Sequence, residues 1–209
     1  MKLAFIGIGN VGSAIAQRLY ALGHKIIIAH NDSNSSSVKK AVEKNPGFEI
    51  LGVQNAVSQA DMVFLATPFQ ANEEVLKGIK FNGKTLVDCT NPVGAGISHG
   101  LKSEISGLEM VQRWAPDSNA VKSFTIYGFE NFKDNSFPKY SVKPVMMICG
   151  NDPNAKNQVR EINTLLGFDT LDTGKADQAL HLEHMTLLWV KMARRDGHHP
   201  NFVWAYLEK

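Results

Sequence analysis

The first dozen residues constrain this chain more than any other stretch. The apolar run Leu3–Ile8 passes straight into Gly7-Ile8-Gly9-Asn10-Val11-Gly12, a complete G-x-G-x-x-G. Helical spacing follows, with Val11, Ile15, Leu19 and Leu22 on one face and Gly23 as the stop. A second apolar run, Ile26–Ala29, comes directly after. Such a string by itself is a weak signal, but between a strand and a helix it has the context that a dinucleotide-binding turn requires. The chemistry is specific at each glycine. Gly7 permits the tight turn, Gly9 lets a pyrophosphate approach the backbone, and Gly12 lets the helix pack closely on the sheet. The pyrophosphate then meets the free N–H groups and the positive end of the helix.

The same alternation continues. Phe48–Val53, Asp61–Ala66 and Thr85–Asp88 read as further strands. Between them lie helical patterns at Val38–Lys44, Gln54–Gln59 and Gln70–Ile79. Strand–helix alternation of this kind predicts a Rossmann-type, doubly wound, mostly parallel α/β sheet. The second half is less regular. Leu108–Trp114 and Ala155–Leu166 read as helices, and Ala120–Tyr127, Val145–Cys149 and Phe168–Leu171 as strands. Gly94–Gly107 and Gly128–Lys143 read as loops, Gly174–Arg195 as one long helix, and a terminal helix is expected after Pro200. The expected division is a dinucleotide-binding Rossmann domain over residues 1–115. A smaller α/β part over residues 116–209 would extend the sheet and carry the acceptor and oligomer contacts.

Composition removes other classes. The formal net charge is +2 over 209 residues, too small a field for nucleic acid or an anionic membrane surface. The apolar runs fall far short of the ~18–20 residues that cross a bilayer. Cys89 and Cys149 form no C-x-x-C pair and read as two reduced, buried thiols. Met1 and Lys2 lead into the first strand without a cleavage signal, so a cytoplasmic location is expected.

The end of the second strand bears on which nucleotide binds. An NAD site carries Asp or Glu there to bond the ribose hydroxyls. Eighteen positions beyond Gly12 stands His30, followed by Asn31, and the carboxylate of Asp32 comes two positions late. The donors His30, Asn31 and Ser33 favour a 2′-phosphate and hence NADP(H). Lys39 and Lys40 stand close by on the next helix.

Further motifs complete the set. Thr67-Pro68-Phe69 and Asn91-Pro92 close the fourth and fifth strands. Val121-Lys122-Ser123-Phe124, Asp152-Pro153, Leu166-Gly167-Phe168, Asp172-Thr173-Gly174, Leu182-Glu183-His184-Met185, Leu188-Trp189 and Asn201-Phe202 follow in order. Together with the glycine loop, this series resembles the deazaflavin (coenzyme F-420)-dependent NADP reductases over nearly the whole chain. The same domain occurs in the oxidoreductase part of membrane metalloreductases. Where that family often has Ser-Arg after the second strand, this chain has His30-Asn31. Where the family has proline in the long helix, it has His184.

The resemblance implies a site. Gly7, Ile8, Gly9, Asn10, Val11 and Gly12 would hold the pyrophosphate, and His30, Asn31 and Asp32 would face the adenosine ribose. Thr67 and Pro68 would line the nucleotide path, and Asn91 and Pro92 would flank the nicotinamide. The implied reaction is hydride transfer between NADP(H) and a small-molecule redox acceptor, coenzyme F-420 or FMN/FAD. Placement of two rings would be the protein's main task, and no acid–base side chain is expected. The alternatives are an NADPH-dependent imine or carbonyl reductase, which needs a proton donor, and a nucleotide-binding regulatory protein without turnover. His181, His184, His198 and His199 lack the partners of a metal site, and none is expected. The nearly all-round apolar stretch Met185–Met192 reads either as core or as a face that meets a second subunit, in a homodimer, or the acceptor.

Overall fold

The computed structural model describes residues 1–209 as one eight-stranded sheet flanked by helices. Its first half is β1 (Lys2–Ile6), α1 (Asn10–Ala21), β2 (Lys25–Ala29), α2 (Ser36–Lys44), β3 (Glu49–Leu51), α3 (Val53–Gln59), β4 (Met62–Leu65), α4 (Asn72–Leu76) and β5 (Thr85–Asp88). A small hairpin follows, β6 (Val93–Gly94) against β7 (Ser98–His99), then α5 (Gly107–Trp114). The second half is β8 (Asn119–Lys122), α6 (Phe129–Lys133), β9 (Val145–Gly150), α7 (Pro153–Leu165), β10 (Asp169–Asp172) and α8 (Ala179–Arg194).

The order across the sheet is β10-β9-β8-β5-β4-β1-β2-β3. Every pairing is parallel except β8 with β9. A parallel sheet is covered on both faces, so its strands read as continuous apolar runs. All four residues of β4 are buried, as are Leu3–Ile6 and Ile26–Ala29. Helix α3 packs on β1 and β2, α5 on β8, and α7 on β8, β9 and β10. One apolar core therefore runs the width of the sheet, with Phe5 stacked on Phe64 and Phe124 between Phe64, Phe132 and Phe168. This is the expected doubly wound α/β architecture with its C-terminal extension and long helix.

Several elements differ from the sequence reading, each for a local reason. The strand expected over Ala120–Tyr127 ends at Lys122. There Phe124 takes a φ of 54° and turns its N–H onto the Met146 sulfur, which ends the ladder. The loop expected over Gly128–Lys143 contains α6, whose Phe132 belongs to the core. The loop over Gly94–Gly107 holds the β6–β7 hairpin. The helix expected over Gln70–Ile79 stops at Leu76, where Lys77 leaves helical geometry and Gly78 is left-handed. No helix follows Pro200. The Trp204 carbonyl accepts from Val145 N–H and from the Tyr127 hydroxyl, so the tail lies extended along the start of β9. Helix α8 begins at Ala179, after a single 3-10 turn over Ala176–Gln178. Its inner face is covered within the chain, where Trp189 stacks on Phe202, 5.5 Å between centroids.

Candidate dinucleotide site

The glycine loop joins the carboxyl end of β1 to α1. Gly7 has a φ of +93°, and a Cβ there would lie 2.6 Å from the Ala66 carbonyl carbon. The turn therefore lets the ends of β1 and β4 touch. A Cβ on Gly12 would lie 2.2 Å from the Gly7 oxygen, so α1 meets the loop without a side chain between. Gly9 differs from both, because a Cβ there would have nothing within 4 Å. The space above Gly9 is open to a ligand, whereas that at Gly7 and Gly12 is taken by the protein. Gly9 is also the N-cap of α1 and brings no capping side chain, and no acidic residue occupies the first turn. The first N–H groups of this helix therefore have neither an intrahelical nor a side-chain acceptor, which suits an anion.

A cavity of about 600 Å³ opens beside the loop. It brings together Gly7, Ile8, Gly9, His30, Asn31, Thr67 and Pro68. Val53, Val75 and Ile79 give it apolar walls suited to a planar base. A second cavity of about 470 Å³ shares Ile8 and Gly9 and continues over Asn10 and Ser13 to Lys40, Lys44 and Lys133. Val11 faces the core instead.

The three residues after β2 have separate tasks. His30 Nδ1 accepts from the Asp32 N–H, so the ring proton sits on Nε2 and is available to donate. Asn31 Oδ1 accepts from Val53 N–H and so caps α3 at 3.1 Å. Asp32 is exposed, accepts from Asn34 N–H in a tight turn and does not line the cavity. Asn91 and Pro92, at the end of β5, stand apart from the cavity lining. Asn91 Oδ1 accepts from the Thr186 hydroxyl of α8, and Pro92 is buried with its carbonyl on Gly100 N–H.

The sequence reading missed a buried ionic cluster behind these strand ends. Asp88 and Lys122 are register partners on β5 and β8. Lys122 Nζ donates to Asp88 Oδ2 at 2.6 Å and to the Thr90 carbonyl at 3.0 Å, and lies 2.8 Å from Glu183 Oε1 of α8. All three of its protons are thus placed. Glu183 also accepts from the Gly107 and Leu108 N–H groups at the start of α5, and from His99 Nε2 at 2.9 Å. His99 Nδ1 accepts from Leu101 and Ser103 N–H, which fixes its tautomer. Burial opposes the Lys122 ammonium, yet the Asp88 and Glu183 carboxylates outweigh it and raise its pKa above the ordinary value. Burial likewise opposes the Glu183 carboxylate, but Lys122 and the Gly107 and His99 donors hold its pKa below the usual range. The available signal was a lysine inside Ala120-Val121-Lys122-Ser123-Phe124. A strand buried on both faces tolerates a lysine only with a partner.

Cys89 and Cys149 are free and buried. Burial pushes the Cys149 thiol up to about 12 and raises that of Cys89 well above its ordinary value. Neither is a nucleophile near neutral pH.

Sheet order, glycine loop and open cavity define a Rossmann-type nucleotide-binding protein. Residues 2–92 match the model of the family described as NADP oxidoreductase, coenzyme F420-dependent. The chain is 25% identical over 189 residues to the metalloreductase STEAP3 of Rattus norvegicus, with 89% of this chain and 36% of that protein covered. It therefore spans about a third of the length of that curated relative. Among solved structures, it resembles a candidate F420-dependent NADP reductase from Arthrobacter sp. FB24 with a TM-score of 0.78 and 24% identity, each chain covered over 100%. A hypothetical protein of Sinorhizobium meliloti is similar with a TM-score of 0.75 and 23% identity, covering 100% of this chain and 96% of that one. These two likenesses establish the fold.

Proposed function

We propose that the protein is an NADP-linked oxidoreductase that moves a hydride between NADP(H) and a ring acceptor, a deazaflavin such as coenzyme F420 or a flavin. The observation that carries this reading is the open space above Gly9 at the uncapped start of α1, continuous with a cavity of about 600 Å³. The residues fit the dinucleotide. The α1 N–H groups receive the pyrophosphate, and Val53, Val75 and Ile79 enclose the adenine. His30 Nε2 donates at the adenosine ribose, where a carboxylate would repel a 2′-phosphate. Lys40 and Lys44 add positive charge along the adjoining cavity. Bound there, NADPH would supply a hydride to the acceptor ring with the accompanying proton from solvent, and in the reverse direction NADP would accept the hydride as that proton is released. A homodimer about the outer face of α8, where Leu188 is half exposed, belongs to the same proposal.

The cluster of Lys122, Asp88 and Glu183 is almost fully enclosed, with side chains at most 1% exposed. It is a structural and positioning assembly, which favours ring-to-ring transfer over a reductase that needs a proton donor at the substrate. The test follows NADPH absorbance with deazaflavin, FMN, FAD, ferric chelate and a set of carbonyls and imines. Rapid oxidation by a deazaflavin or flavin is expected. Turnover of carbonyls or imines alone would overturn the ring-acceptor reading. Tight binding without turnover on any acceptor would make the protein a nucleotide-binding regulator.

A further inference from the structure

A one-way chain of hydrogen bonds leads from the ionic cluster to the cavity wall. Thr90 Oγ1 lies 2.7 Å from Asp88 Oδ1, and a carboxylate offers no proton, so the Thr90 hydroxyl donates. Its oxygen then accepts from Asn72 Nδ2 at 3.0 Å. This fixes the Asn72 amide with its oxygen outward, where it accepts the Thr67 hydroxyl at 2.6 Å. Flipping that amide would set its oxygen against Thr90, whose single proton is already taken by Asp88. The polarity is therefore set at Asp88, which Lys122 in turn holds. Asn72 is fully buried, Thr90 and Asp88 are buried, and only Thr67 reaches the cavity.

We infer that Asn72 is a positioning residue that holds Thr67 Oγ1 as a pure acceptor toward the cavity, so that this wall selects a hydrogen-bond donor of the bound cofactor, a sugar hydroxyl or an amide N–H. The inference rests on the dinucleotide reading of the cavity and adds the polarity of one of its contacts. An unanchored threonine would turn its hydroxyl to suit either a donor or an acceptor. Here the choice is made before the ligand arrives, and the ordering cost is already met by folding.

The test is a double-mutant cycle read as NADPH affinity by titration, with thermal unfolding to confirm that each variant is folded. Thr67→Val removes the acceptor and Asn72→Leu removes its anchor. Each is expected to weaken NADPH by about three- to tenfold, the value of one hydrogen bond. The double variant is expected to be no weaker than Thr67→Val, because Asn72 acts only through Thr67. Thr67→Ser, which keeps the hydroxyl, recovers most of the loss. Should Asn72→Leu fail to fold, Thr90→Val breaks the same chain one link further back and carries the same expectation. Additive losses, or unchanged affinity in Thr67→Val, would overturn the positioning role while the dinucleotide site stands. A wild-type protein that bound no NADPH would overturn the dinucleotide reading itself, and this inference with it.

Discussion

At the residue scale, three glycines within a span of six residues have two different reasons to be glycine. Gly7 and Gly12 are glycine because protein atoms already occupy the place of a Cβ. Gly9 is glycine although that place is empty. Substitution separates the two cases. Gly9→Val is expected to keep its unfolding temperature within a few degrees and to lose NADPH binding, because the new side chain fills the ligand's space. Gly12→Val is expected to lose stability first, since its Cβ meets the Gly7 oxygen at 2.2 Å and the loop must shift. Calorimetry and NADPH titration on both variants check this. A folded Gly9→Val protein with normal affinity would place the dinucleotide elsewhere. The triple-glycine pattern was legible in the sequence, and so were the packing roles of Gly7 and Gly12.

At the element scale, single side chains set the ends of helices around the cavity. Asn31 caps α3, and Glu183 receives the first N–H groups of α5. His99 holds the loop after β7 through two backbone N–H groups. In that loop Lys102 and Ser103 both have left-handed φ angles, a strained backbone that needs such an anchor. These links change what a substitution at the end of β2 should do. Asn31→Arg brings a guanidinium to a 2′-phosphate and is expected to raise the preference for NADPH over NADH by about 10–100-fold. It also removes the α3 cap, at about 1 kcal/mol or roughly 2–4 °C of unfolding temperature. Affinity for both cofactors and thermal unfolding measure the two effects. An equal change for both cofactors would show that this strand end does not meet the phosphate. A cofactor contact at this strand end, part of the proposed function, could be expected from the sequence. The cap could not, because Val53 is brought to Asn31 only by the β2–β3 pairing.

At the scale of the whole molecule, the ionic cluster ties β5, β8, α5 and α8 together and gives stability a definite pH dependence. The lowered pKa of Glu183 contributes stability above its unfolded value of about 4.3, which is lost as pH falls through the folded value. The raised pKa of Lys122 contributes stability below its unfolded value of about 10.4, which is lost as pH rises through the folded value. Between those limits the cluster's contribution is flat. Lys122→Met leaves Asp88 and Glu183 buried without their shared cation and is expected to cost about 3–5 kcal/mol at neutral pH. It should also give the flat stretch a slope. One of the two carboxylates then has a raised folded pKa, so the variant gains stability as pH falls from about 7 to 5. Urea unfolding at several pH values tests this, and a variant with the parent's flat profile would show that the three groups are not coupled.

The sequence by itself determined the alternation of strands and helices, the parallel sheet and the glycine loop, because each depends on residues within a few positions of one another. Apolar runs of four to six residues bounded by glycine and proline read as buried strands, and Gly7–Gly12 between a strand and a helix reads as a tight strand–helix turn. Tertiary structure alone decided the partners of Asp88, Lys122, Glu183 and His99, which lie 34 to 84 positions apart along the chain. It also decided the polarity of the Thr67–Asn72–Thr90 chain and the extended path of the tail past Pro200. The physical reason is range. Periodicity and turn chemistry act over one or two turns of backbone, whereas a buried charge or a buried amide takes its partner from whichever strand or helix the fold brings beside it.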